Sequence, residues 1–140
     1  MDPLDFLDVA RSLTGSDEES GWRTSVGRSY YAVFLHLCLN LAPIKRLPGT
    51  GEDHDAVVQY LITANNRDLY SVGQSLNDLR TSRRQADYDM AVAVAQEQSQ
   101  LALLKASKAV EKFGTVNEGA LKAAISALPT YRSKRDAENR

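Results

Sequence analysis

The 140-residue sequence predicts an all-α protein, a helical bundle, and three observations carry that reading. First, the stretch Arg28-Ser-Tyr-Tyr-Ala-Val-Phe-Leu-His-Leu-Cys-Leu-Asn-Leu41 is apolar or aromatic at nearly every position after its arginine, at a length that suits a helix better than a strand. Second, the other apolar residues recur at three- and four-residue spacing. Third, no segment alternates apolar and polar residues as a half-buried strand does. A helix apolar on one stripe lies on a surface, whereas one apolar almost all round is covered on several sides. The 28–41 segment is therefore expected at the centre of the bundle and at a contact with a second copy.

The elements follow in order. Leu4, Leu7, Val9, Ala10 and Leu13 predict a short first helix, stopped at Thr14-Gly15-Ser16. A second starts between Asp17 and Trp22 and runs to Leu41, with Val26, Tyr30, Val33, Phe34, Leu37 and Leu41 on one face and Tyr31, Leu35 and Leu39 on a neighbouring one. Pro43, Pro48, Gly49 and Gly51 mark a loop. Asp53 is the expected cap of a third helix carrying Val57, Val58, Leu61 and Ile62, which Asn65-Asn66 breaks. Leu69, Val72, Leu76 and Leu79 define a fourth helix that continues into an arginine cluster. A fifth is expected from Met90 to Phe113, with Val92, Ala95, Leu103, Ala106, Val110 and Phe113 as its buried stripe and Gly114 at its end. A sixth spans Glu118 to Leu128, before Pro129. Residues 1–128 thus read as one helical domain and 129–140 as a polar, disordered tail bearing Arg132, Lys134, Arg135 and Arg140.

Apolar residues at 43% and charged residues at 25% are ordinary for a globular protein. No run approaches the ~18 apolar residues that span a bilayer, and the acidic start Met1-Asp-Pro-Leu-Asp does not read as a signal peptide. A cytoplasmic protein without membrane contact is expected. The single cysteine, Cys38, excludes a disulfide within the chain and reads as a small buried hydrophobe. A net charge of −1, from 17 basic and 18 acidic residues, argues against nonspecific coating of nucleic acid but leaves room for a local basic site.

Such a site stands at the end of the fourth helix. Arg80, Arg83, Arg84 and Asp87 fall at i, i+3, i+4 and i+7, on one face. Guanidinium groups so placed grip a phosphate and offset charge developing on it. The plainer alternative is a surface salt bridge from Asp87 to Arg83 or Arg84. Tyr88 beside them stacks, donates a hydrogen bond, or simply packs.

In order and spacing, three pieces of the chain resemble a HEPN domain: Arg23 with Arg28-Ser-Tyr-Tyr-Ala-Val-Phe, His54 with Val57 and Leu61, and Leu79-Arg80-x-x-Arg83-Arg84-x-Ala86-Asp87-Tyr88. The resemblance covers about residues 4 to 113. It implies an up-and-down bundle of four to five helices, commonly dimeric across a groove at the ends of its central helices. Many members are metal-independent ribonucleases with an R-x4–6-H motif, in which a general base handles the 2′-hydroxyl proton and the arginine offsets phosphorane charge. This sequence departs from the motif, since positions 88 to 91 read Tyr, Asp, Met, Ala and no histidine follows. Tyr88 or Asp87 stands where the base is expected, and free groups of both types titrate far from neutrality.

Neither histidine fills the gap on sequence grounds. His36 lies in the most apolar helix and reads as a core or interface residue; His54 opens the third helix, where the dipole disfavours its protonation. Two histidines without a carboxylate cluster give no zinc site, and Gly-rich phosphate loops do not occur, so no metal or cofactor is expected. Tyr30-Tyr31 reads as core or dimer packing, and Trp22 as a partner anchor or a lid over the core.

Three functions follow from these expectations. In the first, Arg80, Arg83, Arg84 and Asp87 form a ligand site for RNA, a nucleotide or an acidic protein surface, in a toxin–antitoxin or antiviral defence setting. In the second, the chain is an active endoribonuclease, with Arg83 or Arg84 stabilising the transition state and Tyr88, Asp87 or a histidine moving the proton. In the third, it is a scaffold or antitoxin-like subunit for a nucleotidyltransferase or a larger defence protein. A homodimer through the second and fourth helices would bring two arginine clusters together, with Asp78, Asp87 and Asp89 to compensate them.

Overall fold

Two helix starts in this chain are set by asparagine side chains that bond the backbone, and the computed structural model, which describes residues 1–132, shows where they act. Six helices form: α1 (Asp5–Thr14), α2 (Glu19–Leu41), α3 (Asp53–Thr63), α4 (Arg67–Tyr88), α5 (Gln96–Gly114) and α6 (Glu118–Ser126). No strand occurs among the described residues. Asn66 caps α4 by accepting the N–H groups of Asp68 and Leu69 at 3.0 Å, and Asn117 caps α6 through Gly119 and Ala120. Asn65, with φ of 53°, makes the left-handed step that stops α3. Asp53 does not cap α3 as expected. It is the first helical residue, and its carboxylate turns back to accept the N–H of Gly49 at 2.7 Å, closing the preceding loop.

The 23 residues of α2, about 34 Å of helix, pack against α1, α3, α4 and α5. Its central position follows from the sequence: Val26, Tyr30, Val33, Leu37 and Leu41 are all 4% exposed or less. The neighbouring face is less covered, with Tyr31 and Leu35 half-buried and Leu39 61% exposed. Contacts between helices show α4 running antiparallel to α2, since Arg23 meets Ala86 and Tyr31 meets Arg83. They also show α4 antiparallel to α5, since Lys105 meets Asp78 and Lys112 meets Ser71. Helices α3 and α4 come closest at Gly73, where a Cβ would stand 2.9 Å from Ile62 Cγ2 and 3.0 Å from Leu61 Cβ.

The fifth helix differs from its prediction. It starts at Gln96 rather than Met90, because residues 89–95 are drawn into an irregular segment by side chains of α2. Its buried stripe is Ser99, Ala102, Ala106, Ala109 and Phe113. Of the other residues assigned to that stripe, Ala95 and Val92 are exposed and Leu103 and Val110 half-buried, while Val94 lies in the core. Small side chains are what fit where α5 lies against α2 and α4.

Ile125 and Leu121 bury the inner side of α6. Beyond it, the Tyr131 N–H donates to the Tyr60 hydroxyl at 2.7 Å, and that hydroxyl donates to the Arg46 carbonyl at 2.9 Å, so Tyr131 is held against the loop before α3. The rest of the predicted polar tail, 133–140 with Lys134, Arg135 and Arg140, lies outside the described residues. No helix among the described residues is long and apolar enough to cross a membrane.

Candidate functional site

The continuation of α4 to Tyr88 sets Arg80 against α3, Arg83 against α2 and Arg84 toward solvent. Arg80 donates to Asp55 of α3 at 3.0 Å with its side chain 19% exposed. Arg83 is enclosed further. Its Nη2 donates to the Tyr31 hydroxyl at 3.0 Å, and its guanidinium carbon lies 5.3 to 5.6 Å from the ring centres of Tyr30, Tyr31 and Tyr88. Its Nε stands 3.2 Å from Asp87 Oδ2, near enough for an ion pair but off the line of the N–H, so this buried nitrogen has no hydrogen bond among the described residues. The i, i+4 pair read from sequence therefore forms, as a charge contact. Arg84 is exposed and has no ion pair among the described residues, and Tyr88 is 72% exposed.

Beneath this surface lies a buried polar chain. The Tyr30 hydroxyl and His54 Nδ1 are 3.1 Å apart, and His54 Nε2 lies 3.5 Å from Asn77 Oδ1. An amide oxygen only accepts, so Nε2 carries the proton, and Nδ1 accepts from Tyr30. The ring is 3% exposed. Burial first, then the charge of Arg80, lowers the His54 pKa from 6.5 to about 4. Burial pushes the Tyr30 phenol up to about 12, against the opposing pull of Arg80 and Arg83. Tyr30 therefore donates and His54 accepts, both neutral, across the neutral pH range.

Arg23 has a role the sequence did not disclose. Its Nη1 donates to the carbonyls of Ala86 at 2.8 Å and Asp89 at 3.2 Å, and Nη2 donates to that of Val92. These include carbonyls left open at the end of α4, where a cation is also favoured by the helix dipole. Glu19, one turn earlier on α2, accepts the Val94 N–H at 2.6 Å. Together the two side chains fix the 89–95 segment and with it the end of α4 that carries Asp87 and Tyr88. Arg28 lies over the rings of Phe6 and Tyr31, at 5.2 and 5.6 Å.

The structure thus gathers Arg80, Arg83, Asp87 and Tyr88 around the tyrosines of α2, and leaves Arg84 facing solvent. His36 lies apart, edge-on to Phe113 at 5.8 Å, with its pKa lowered by burial. Trp22 packs on the core and donates to the Ser16 carbonyl at 2.8 Å. Cys38 is half-buried, and burial pushes its thiol up to about 12, away from the thiolate form. No group of three or more His, Cys, Asp or Glu side chains converges on a metal-sized site among the described residues. The surface offers fixed cations and aromatic faces, suited to holding an anion or a planar ring.

The chain is similar to an uncharacterized protein of Methanocaldococcus jannaschii, 28% identical over 110 residues that cover 65% of this chain and 62% of that protein. The chain therefore spans less than two thirds of the length of this relative. No protein-family model matches it. No solved structure does either.

Proposed function

We propose that this chain is a HEPN-type helical module that binds RNA or a nucleotide through the arginine face of α4 and does not cleave it. One observation carries the reading: a guanidinium, that of Arg83, held among three tyrosine rings and a carboxylate beside the exposed Tyr88 and Arg84, the latter without an ion pair among the described residues. A cation already oriented loses little freedom on meeting a phosphate. The planar face of Tyr88 is a stacking platform of the kind single-stranded RNA uses. The same reading includes a homodimer through α2 and α4, which would double the site along one strand.

The binding role is favoured over cleavage because the one histidine near the arginines, His54, is enclosed, neutral and engaged with Tyr30. A ribonuclease would have to route the 2′-hydroxyl proton through Tyr88 or Asp87 instead. The test is fluorescence anisotropy with a labelled single-stranded RNA in EDTA, followed by a gel of the same samples. Binding of intact RNA is expected, weakened about tenfold by Arg84→Ala, with a salt slope smaller by about one. Equal affinity of wild type and Arg84→Ala would remove the site, and cleaved RNA would establish the nuclease alternative.

A further inference from the structure

On the side of α4 opposite its arginines, an open groove of about 570 Å³ separates α4 from α5. Ser71 and Ser75 of α4 are too short to fill the space, and Val72 and Ala109 form part of its floor. Two large apolar side chains of α5, Leu101 and Leu104, border the groove while remaining 63% and 49% exposed. Exposed leucines along a concave apolar strip mark an interaction surface more often than an idle one. We infer that this groove docks an amphipathic helix of a partner protein, apolar along one stripe and acidic along the edge that meets Lys105, Lys108 and Lys112.

Shape and charge select that occupant. Along α5 the groove runs from Gln98 to Lys112, about 21 Å or four helical turns. This length admits the i, i+3, i+4, i+7 anchors by which a helix lies in a groove. Its lysines are spread over two turns rather than gathered at one end. Lys105 is paired with Asp78 at 3.1 Å, Lys112 donates to the Ser71 hydroxyl at 3.1 Å, and Lys108 has no carboxylate partner among the described residues. The acidic residues of α5, Glu97 and Glu111, do not line the groove. A row of cations matches a row of carboxylates, while a single-headed amphiphile needs one cation at one end. A second copy laid groove to groove sets lysines against lysines, a like-charge contact that disfavours self-pairing here.

The test is a display library of four-turn helices with a fixed leucine stripe and edge positions randomised among Glu, Ser and Lys, selected on the full chain. Helices with a glutamate edge are expected to enrich, and to bind at least tenfold more weakly to Leu101→Ser/Leu104→Ser. On Lys108→Glu/Lys112→Glu the edge preference should turn to lysine. Arg84→Ala should leave selection unchanged, which separates this groove from the RNA face. Circular dichroism checks that each variant keeps its helices. No enrichment, enrichment without charge bias, or equal binding to the variants overturns the inference. So does a dimer by light scattering that Leu101→Ser/Leu104→Ser abolishes, or one-to-one binding of dodecanoate that excludes the selected helices.

Discussion

Acidification should destabilise this fold through His54, and the effect can be sized. In the unfolded chain its imidazole takes up a proton as the pH falls through 6.5, whereas in the folded chain it does so only at about 4. Between those values the unfolded state binds more protons, so stability falls with falling pH across that window and levels off below it. The interval from 6.5 to about 4 is worth about 3 kcal/mol at ~1.36 kcal/mol per pH unit. That is a large share of the ~5–15 kcal/mol that holds a typical domain together. The perturbation is His54→Phe, which keeps a ring beside Tyr30 and Phe34 and removes the titration. It leaves the Tyr30 hydroxyl unpartnered, so the variant should already be weaker by about 1–3 kcal/mol at pH 7. The informative quantity is therefore the pH dependence. Urea unfolding followed by circular dichroism at pH 7, 6, 5 and 4 should show the wild-type midpoint falling by about 1–3 M more than that of the variant. His36 is present in both proteins, and its contribution cancels in the comparison. Parallel pH profiles for wild type and variant would refute the reasoning, and so would an NMR titration placing His54 at its ordinary value.

Three further outcomes follow. Arg23→Ala should cost about 1.5–3 kcal/mol, the range for charge-assisted hydrogen bonds; faster hydrogen exchange at the Val94 amide would show the 89–95 segment loosening, and unchanged protection would count against the latch. Gly73→Ala should destabilise by about 1–3 kcal/mol through overpacking on Leu61 and Ile62, more than the ~1 kcal/mol of helix propensity it gains; a rise in melting temperature would show that α3 yields freely. Asn66→Ala should lower stability by about 1 kcal/mol through loss of the α4 cap, read from the shift in urea midpoint.

Much of the architecture was legible because its signals are local. The apolar 28–41 run required cover on several sides, and α2 has it. Asn65-Asn66 combines a residue that tolerates the left-handed step with one that caps a helix, so the break between α3 and α4 was visible from two letters. Arg83 and Asp87 share a helix face at any reasonable geometry, and their contact follows. The start of α5 was misread for the same kind of reason. Val92 and Ala95 stand at the i, i+3 spacing of a helix face, but the carbonyls and amides of this segment are taken by Arg23 and Glu19, more than 65 residues away in sequence.

The sequence by itself determined that six segments are helical, though not where α5 starts, and the placement of arginines along one of them, since spacing at 3.6 residues per turn settles what shares a face. Only the tertiary structure decided which of those arginines is locked and which is open. Tyr31 reaches Arg83 across 52 residues, and Tyr30 meets His54 across 24. Such partners are chosen by how helices pack, and the same packing withdraws His54 from water and from its proton. The groove beside Lys108 likewise exists because two helices face each other with small side chains, a fact about their pairing that neither helix carries alone.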